Sequence, residues 1–467
     1  MKTVQEGQTI YINKVKRTQK NGWKHVYEIH SFYDPKSQNT RILKTKLLGK
    51  LPPGEEDISK MQPTDKRRSR KKAPTDQPQA VLQASGSLID SRRACCVIYP
   101  LDIALFVVLM AGVNGFTSNY AIAEFWKTHH SIFERWFPDF PESDPSHDTV
   151  RRLIMILGKH NGKELLERLT RPLVAELSER VVAVDGQAVR ASSHGKNGPR
   201  YVLNVYDSDN GVCLSQRLIG CKENEIVHAA DLISTLDLHG AVVTCDAMNT
   251  QVKFAESVIQ KGADCCLAVK ANHPHLHDFI QKLFASASAS KIAKSEEKID
   301  LGHGRIETRE IRVLPGSLIE IDKETVKAWK WLPDGCLVEA RTTRVEKKNP
   351  ENSSTDTRYY ITTLNFDEQY IAPRLMRIIR QHWGIENSLH WVLDVTFNQD
   401  RTQCSNADYL VGRTTLTKIV TNVLSKIQTD EEERTGKNAP SKPVLMARMS
   451  NLDAALQALV EIYRSTK

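Results

Sequence analysis

Hydrophobic positions between residues 180 and 270 come in short continuous runs of strand length, each closed by polar residues. Val181-Val182-Ala183-Val184 runs into Asp185-Gly186, and Ala241-Val242-Val243-Thr244-Cys245 runs into Asp246 and the turn Ala247-Met248-Asn249. Tyr201 to Tyr206 and Val212 to Ile219 flank the turn Asp209-Asn210-Gly211, and a last run covers Cys265 to Val269. Continuous apolar runs of this length predict strands covered on both faces. Helical spacing takes over from about Asn224 to Leu236 and from Thr250 to Lys261. Three antiparallel strands followed by alternating helix and strand is the order of a ribonuclease-H-like α/β fold, and residues 179–270 are read as the first part of such a core.

Outside that segment the pattern changes. Residues 91–178 read as helical throughout, with a core helix around Leu101 to Met110 and a helix start at Ser146-His147-Asp148, where Ser146 or Asp148 is available as the cap. Residues 8–50 alternate in strand fashion, with turns at Asn21-Gly22 and Asp34-Pro35, so residues 1–51 are expected to form a small basic β module. Residues 52–90, rich in Pro, Ser, Gln and charge, are expected to be a disordered linker. Downstream, 271–367 is strand-rich (Arg305 to Val313, Leu337 to Val345, Tyr359 to Leu364) and is expected to be a distinct β-rich insertion. Residues 368–430 return to the core with one long helix over 372–395 and an amphipathic helix over 406–427; 431–467 supply a polar linker and a final helix.

Charge adds a partner to this outline. The net charge is +9, but residues 1–80 hold 18 Lys and Arg against 8 Asp and Glu, so the other 387 residues are close to neutral. Such an excess, with its knot Lys66, Arg67, Arg68, Arg70, Lys71 and Lys72, points to a nucleic-acid-binding arm; a solvated solubility tail is the plainer alternative. No Cys-x-x-Cys occurs among nine cysteines, which argues against a disulfide framework or a structural zinc site. The first residues show no signal peptide, and the longest apolar stretch contains Pro100 and Asp102, so no membrane span is expected. A cytoplasmic protein is the expectation.

Asp185 and Asp246 stand at strand ends, where ligands of open α/β sheets gather, and Glu386 lies in the predicted helix 372–395. Phosphodiester chemistry needs divalent ions that activate the attacking oxygen and stabilise the leaving one, and Mg2+ takes oxygen ligands, so three carboxylates suffice. A single strand-end aspartate is more often a cap or turn residue. On an α-helix His382, Glu386, His390 and Asp394 recur every four residues and share one face, which offers a His/Glu metal site as a rival and a supporting or DNA-contacting role for His382, Asn387, His390 and Asp394 as the milder reading. In an extended segment His273, His275 and His277 would point one way and suit a transition metal; a loop leaving the sheet is the simpler account.

These residues resemble the DDE transposases of bacterial insertion sequences, in particular the H-repeat-associated protein family. The resemblance rests on Val184-Asp185-Gly186, Lys222-Glu223-Asn224-Glu225-Ile226, Asp246-Ala247-Met248-Asn249-Thr250-Gln251, Leu267-Ala268-Val269-Lys270-Ala271-Asn272, Pro145-Ser146-His147-Asp148-Thr149 and, most specifically, the stretch from His382-Trp383-Gly384-Ile385-Glu386-Asn387 through His390-Trp391-Val392-Leu393-Asp394-Val395. It covers roughly residues 95–425. It implies Asp185, Asp246 and Glu386 as metal-binding catalytic acids with Mg2+ or Mn2+, and double-stranded DNA, both terminal inverted repeats and target, as partner to a homo-oligomer. Lys270 and Arg380 join the basic knot as expected DNA contacts. The implied activity is cleavage at element ends and joining of the 3′-OH to target DNA; a metal-dependent nuclease or resolvase without strand transfer, and a domesticated DNA-binding protein, are the rivals. Three departures stand out: Gln187 where the family usually has Lys, Lys270-Ala271-Asn272-His273 for the usual Lys-Gly-Asn-Gln, and Gln399-Asp400 for an acidic pair. A Tyr-Arg-Glu-Lys signature would need Tyr, Arg and Lys at Ile379, His382 and Leu393, and is absent.

Overall fold

A computed structural model describes residues 10–18, 23–34, 39–61, 77–174, 179–193, 198–220, 225–288, 291–300, 305–321, 323–349, 351–401 and 403–464. The basic knot at 66–72 lies outside them. The chain forms two units, one from residues 1–173 and 396–467, the other from 174–395.

The first unit opens with an antiparallel sheet of β1 (Ile10–Thr18), β2 (Lys24–Asp34) and β3 (Asn39–Leu51) in the order β1-β2-β3. Its small core joins Ile29 and Val15 to Val97 and Ala94, and Lys50 and His25 both meet Glu142. Part of the expected linker is ordered: α1 (Gln77–Ser85) is a helix with Val81 buried. Next come α2 (Leu101–Val113), α3 (Asn119–Thr128), α4 (His130–Trp136) and α5 (His147–Thr170). In α2 every residue except Asp102 is buried, which is why its apolar run looked long. Ser146 caps α5, its hydroxyl accepting from the Thr149 N–H.

The second unit is built on one nine-stranded sheet. β4 (Val181–Val189) pairs antiparallel with β5 (Arg200–Asp207), which pairs with β6 (Val212–Ile219). On its other side β4 runs parallel to β7 (Val242–Cys245), and β7 parallel to β8 (Asp264–Val269). Helices α6 (Glu225–Ser234) and α7 (Val252–Gln260) make the crossovers, and α8 (Pro274–Ser286) follows β8. The strand-rich region does not stand apart as a subdomain. β9 (Ala293–Asp300), β10 (Arg305–Pro315), β11 (Cys336–Glu346) and β12 (Ser353–Thr362) extend the same sheet, with the short α9 (Lys323–Ala328) between β10 and β11 and β12 antiparallel to β8. The order is β6-β5-β4-β7-β8-β12-β11-β10-β9. Edge pairing is the physical reason: β8 ends an incomplete ladder, and β12 satisfies its free N–H and C=O groups.

Side chains alternate across this sheet. Val182, Val184, Val243, Cys245 and Leu267 face a core completed by Leu232 and Ile233 of α6, Phe254 and Val258 of α7 and Ile280 and Phe284 of α8. Val181, Val242, Cys266 and Ala268 face the other way, beneath α10 (Ile371–His382), which buries Ile371, Leu375, Met376, Ile378 and Ile379 there. Each of those side chains is worth on the order of 2 kcal/mol. The predicted single helix over 372–395 does not continue as α-helix. After His382 it widens into π-helix at Ile385–His390 and again at Val392–Thr396.

Beyond residue 395 the chain belongs to the first unit. α11 (Ala407–Thr435), read from sequence as part of the catalytic core, packs there against α5, followed by α12 (Lys442–Arg448) and α13 (Leu452–Arg464). The crossing of α5 and α11 is a contact of backbones: a Cβ on Gly158 would overlap the Asp408 carbonyl oxygen and the Gly412 nitrogen, and one on Gly412 the Ile154 carbonyl oxygen.

Candidate active site

The two aspartates come to one place through the register of three parallel strands; β7 ends at Cys245, just before Asp246, whereas β4 runs on to Val189, so Asp185 lies within its strand and not at the end expected from the sequence. The register pairs Val184 with Cys245 and Cys245 with Leu267, so Asp185 and Asp246 are the next residues of adjacent strands, about 4.8 Å apart in the pairing direction. Parity then fixes the face. Asp185 lies four residues beyond Val181, Asp246 four beyond Val242 and Lys270 four beyond Cys266, and all three of those core residues face α10. A period of two makes the acids and the lysine face it too.

The Lys270 ammonium lies 2.8 Å from Asp246 Oδ1. Burial opposes the charge on Asp246, but the Lys270 hydrogen bond, the Ala247 N–H and the lysine's charge outweigh it and hold the carboxyl below the usual aspartate range. Asp185 is partly buried, accepts the Gly186 N–H at 2.9 Å and stands 3.8 Å from His390 Nδ1.

Hydrogen bonds and a cation–π contact fasten the end of α10 and its π-helical continuation to the sheet. His382 Nδ1 shares a hydrogen bond with Thr244 Oγ1 at 3.0 Å; burial pushes this imidazole down to about 4, against the pull of Asp246, so it is neutral at pH 7. The Arg358 guanidinium of β12 sits over the Trp383 ring, 4.6 Å from its centre. Asn204, fully buried and opposite Asp185 in the β4–β5 ladder, meets His390 Nε2 at 3.1 Å. Gln187 donates its side-chain amide to Asp394 Oδ1 at 2.8 Å and to the His390 carbonyl oxygen at 3.4 Å.

Thus His382, His390 and Asp394 turn toward the sheet, whereas Glu386, between them in sequence, is exposed, as is Asn387. Among the described residues no three His, Cys, Asp or Glu side chains stand close enough to hold a metal ion. The donor set nonetheless suits a hard cation: two level carboxylates offer oxygen, the third lies on the helix crossing the same face, and the lysine ammonium already holds a positive charge on Asp246. Arg380 pairs with Glu297 of β9 at 2.8 Å. The alternating histidines do not share a face, since Pro274 opens α8; His273 Nε2 meets the Thr250 carbonyl oxygen at 2.6 Å instead.

Sequence reading passed over Thr244, Asn204 and Arg358 and noted Gln187 only as a departure. Two of the four carried a signal. Thr244 and Gln187 lie two residues from an acid along a strand, which puts them on the acid's face.

Comparison with known proteins gives the family of the chain. Residues 176–423 match the family described as "Transposase DDE domain", and residues 83–168 match "DDE_Tnp_1-associated". "Putative protein YbfL" of Escherichia coli K12 is 30% identical over 67% of this chain and 81% of its own length. "Putative transposase YncI" of Escherichia coli O157:H7 is 29% identical over 70% and 82%, and "H repeat-associated putative transposase YhhI" of the K12 strain 29% over 67% and 81%. A solved piggyBac transposase synaptic complex with hairpin DNA aligns at a TM-score of 0.39 and 11% identity over 84% of this chain and 77% of that one, too low a likeness to carry an argument.

Proposed function

The chain belongs to the DDE transposase family, and from that premise we propose that it cuts DNA at the ends of an insertion sequence and joins the freed 3′-OH to target DNA. The observation that carries this reading is the pair Asp185 and Asp246, level on adjacent parallel strands beneath the helix that bears Glu386. The strand order β6-β5-β4-β7-β8, with helices as crossovers on the parallel side, supports a ribonuclease-H-like core.

Asp185, Asp246 and Glu386 would hold Mg2+ or Mn2+. The bound ions would activate the attacking oxygen and stabilise the leaving one. Asp185 is kept oriented by the Gly186 N–H, and Asp246 is kept ionised by Lys270, whose half-exposed ammonium would also be open to a DNA phosphate. Neutral His382 positions the helix through Thr244 and contributes no charge that would repel a cation. Double-stranded DNA carrying terminal inverted repeats is the substrate, the basic residues 66–72 with Lys270 and Arg380 track its phosphates, and a homo-oligomer holds the two ends. The reaction takes place in the bacterial cytoplasm.

The test is an assay with labelled DNA from the flanks of the gene and Mg2+ or Mn2+, scored separately for binding, nicking and joining. Glu386→Gln, Asp185→Asn and Asp246→Asn should bind and lose both chemical steps, while His382→Ala keeps reduced turnover. Full joining by Glu386→Gln, beside a dead His382→Ala, would replace the three-carboxylate mechanism with a histidine-centred site. Nicking without joining by the wild-type protein would make it a nuclease.

A further inference from the structure

We propose that Gln187 is a positioning residue, whose side-chain amide holds the π-helical segment carrying Glu386 in register with the strand that carries Asp185. The inference rests on the reading of Glu386 as a catalytic acid and adds a residue to that site. Gln187 is buried on β4, two positions past Asp185, so it shares the face of the acids. Its amide has two N–H donors, and both go to the crossing helix: one to Asp394 Oδ1 at 2.8 Å, the other to the His390 carbonyl oxygen at 3.4 Å.

These acceptors matter because of where they sit. A π-helical turn is rare and is found mostly as a single widened turn inside an α-helix. Here two such stretches follow one another, 385–390 and 392–396, and Gln187 reaches one residue in each. A donor from the sheet to the His390 carbonyl and another to Asp394 tie both widened stretches to a fixed strand. Glu386 is one turn before His390, its own carboxylate is exposed, and the backbone that carries it is held by these neighbours. The register of the helix on β4 therefore sets where that carboxylate stands relative to Asp185.

Four variants of the full chain test this. Gln187→Met keeps the volume and removes both donors. Gln187→Lys keeps a donor of similar reach. Gln187→Glu sets a carboxylate against Asp394. Gln187→Glu with Asp394→Gln reverses donor and acceptor. The first readout is amide hydrogen exchange over residues 385–396 without DNA or metal; the second is kcat, KM and DNA affinity in the Mg2+ cleavage assay. Gln187→Met and Gln187→Glu should speed exchange in this segment at least tenfold and lower kcat roughly 10–100-fold, with KM and DNA affinity unchanged. Gln187→Lys should return both readouts to within about threefold of wild type, and the reversed pair, which restores the contact at 394 but not the donor to the His390 carbonyl, should fall between Gln187→Glu and wild type in both. Wild-type exchange in Gln187→Met, or equal damage in all four variants, would overturn the inference. Should Gln187→Met fail to fold, recovery by the reversed pair over Gln187→Glu decides. Full activity of Glu386→Gln would defeat the functional reading instead, and the exchange data would still decide whether Gln187 holds the segment.

Discussion

Two long helices are placed by opposite means. In the first unit α11 lies against α5 through glycines, with backbone on backbone and no room for a methyl group at Gly158 or Gly412. In the second unit α10 lies on the sheet through its apolar turns, and from His382 onward the burial of Ile385, Leu389, Val392 and Leu393 is joined by directed hydrogen bonds and a cation–π contact. Apolar burial decides that a helix lies on a surface, and does so strongly but without direction. Polar contacts are weaker in net energy and have defined geometry, which suits the end of the helix where a carboxylate must be aimed.

Breaking the glycine crossing should have the largest effect. Gly158→Val drives a branched side chain into the backbone of α11, so the helices must part; a loss above about 4 kcal/mol is expected, seen as unfolding of the first unit while the second keeps its own denaturant transition. Next is the apolar part of α10. Leu375→Ala in the fully buried face should cost about 3 kcal/mol, read from the urea midpoint of the second unit. If it costs less than 1, burial is not what seats this helix.

The polar end should give the smallest effect and one that depends on pH. The folded-state pKa of His382, about 4, is below its unfolded value near 6.5, so between those values the unfolded chain binds the extra proton. Stability from this site is full well above pH 6.5 and declines as pH falls, by about 2 kcal/mol at pH 5. His382→Asn should flatten that slope in the second unit's transition. An unchanged slope would assign the pH dependence to other groups.

The parts of the site that follow from period-two alternation were legible in the sequence. The strands that carry the apolar runs into Asp185 and Asp246, and the helices between β6 and β8, are where the pattern put them, although β4 runs past Asp185 to Val189 and does not end there. Their shared face follows from counting in twos. What was not legible depends on pairing across distance. The four-residue spacing of His382, Glu386, His390 and Asp394 assumes an unbroken α-helix, and π-turns break it, leaving Glu386 outside the group its spacing suggested. Asn204 is in the site only because of the β4–β5 register, which no local pattern encodes. The strand-rich region was recognised as strands, but its attachment to β8 is a property of an open edge, and the destination of α11 is a property of the glycines it meets.

That attachment restricts how the gene can vary in length. β10 and β11 pair over eleven residues each, with Arg309 and Arg344 on the α10 side and Arg312 and Glu339 opposite, and their far ends grow away from the acids. Adding or removing two residues in each strand preserves which side chain faces which side; one residue inverts every position beyond the change. Insertions and deletions that persist within this arm should therefore come in even steps per strand, while the loops at its ends vary freely.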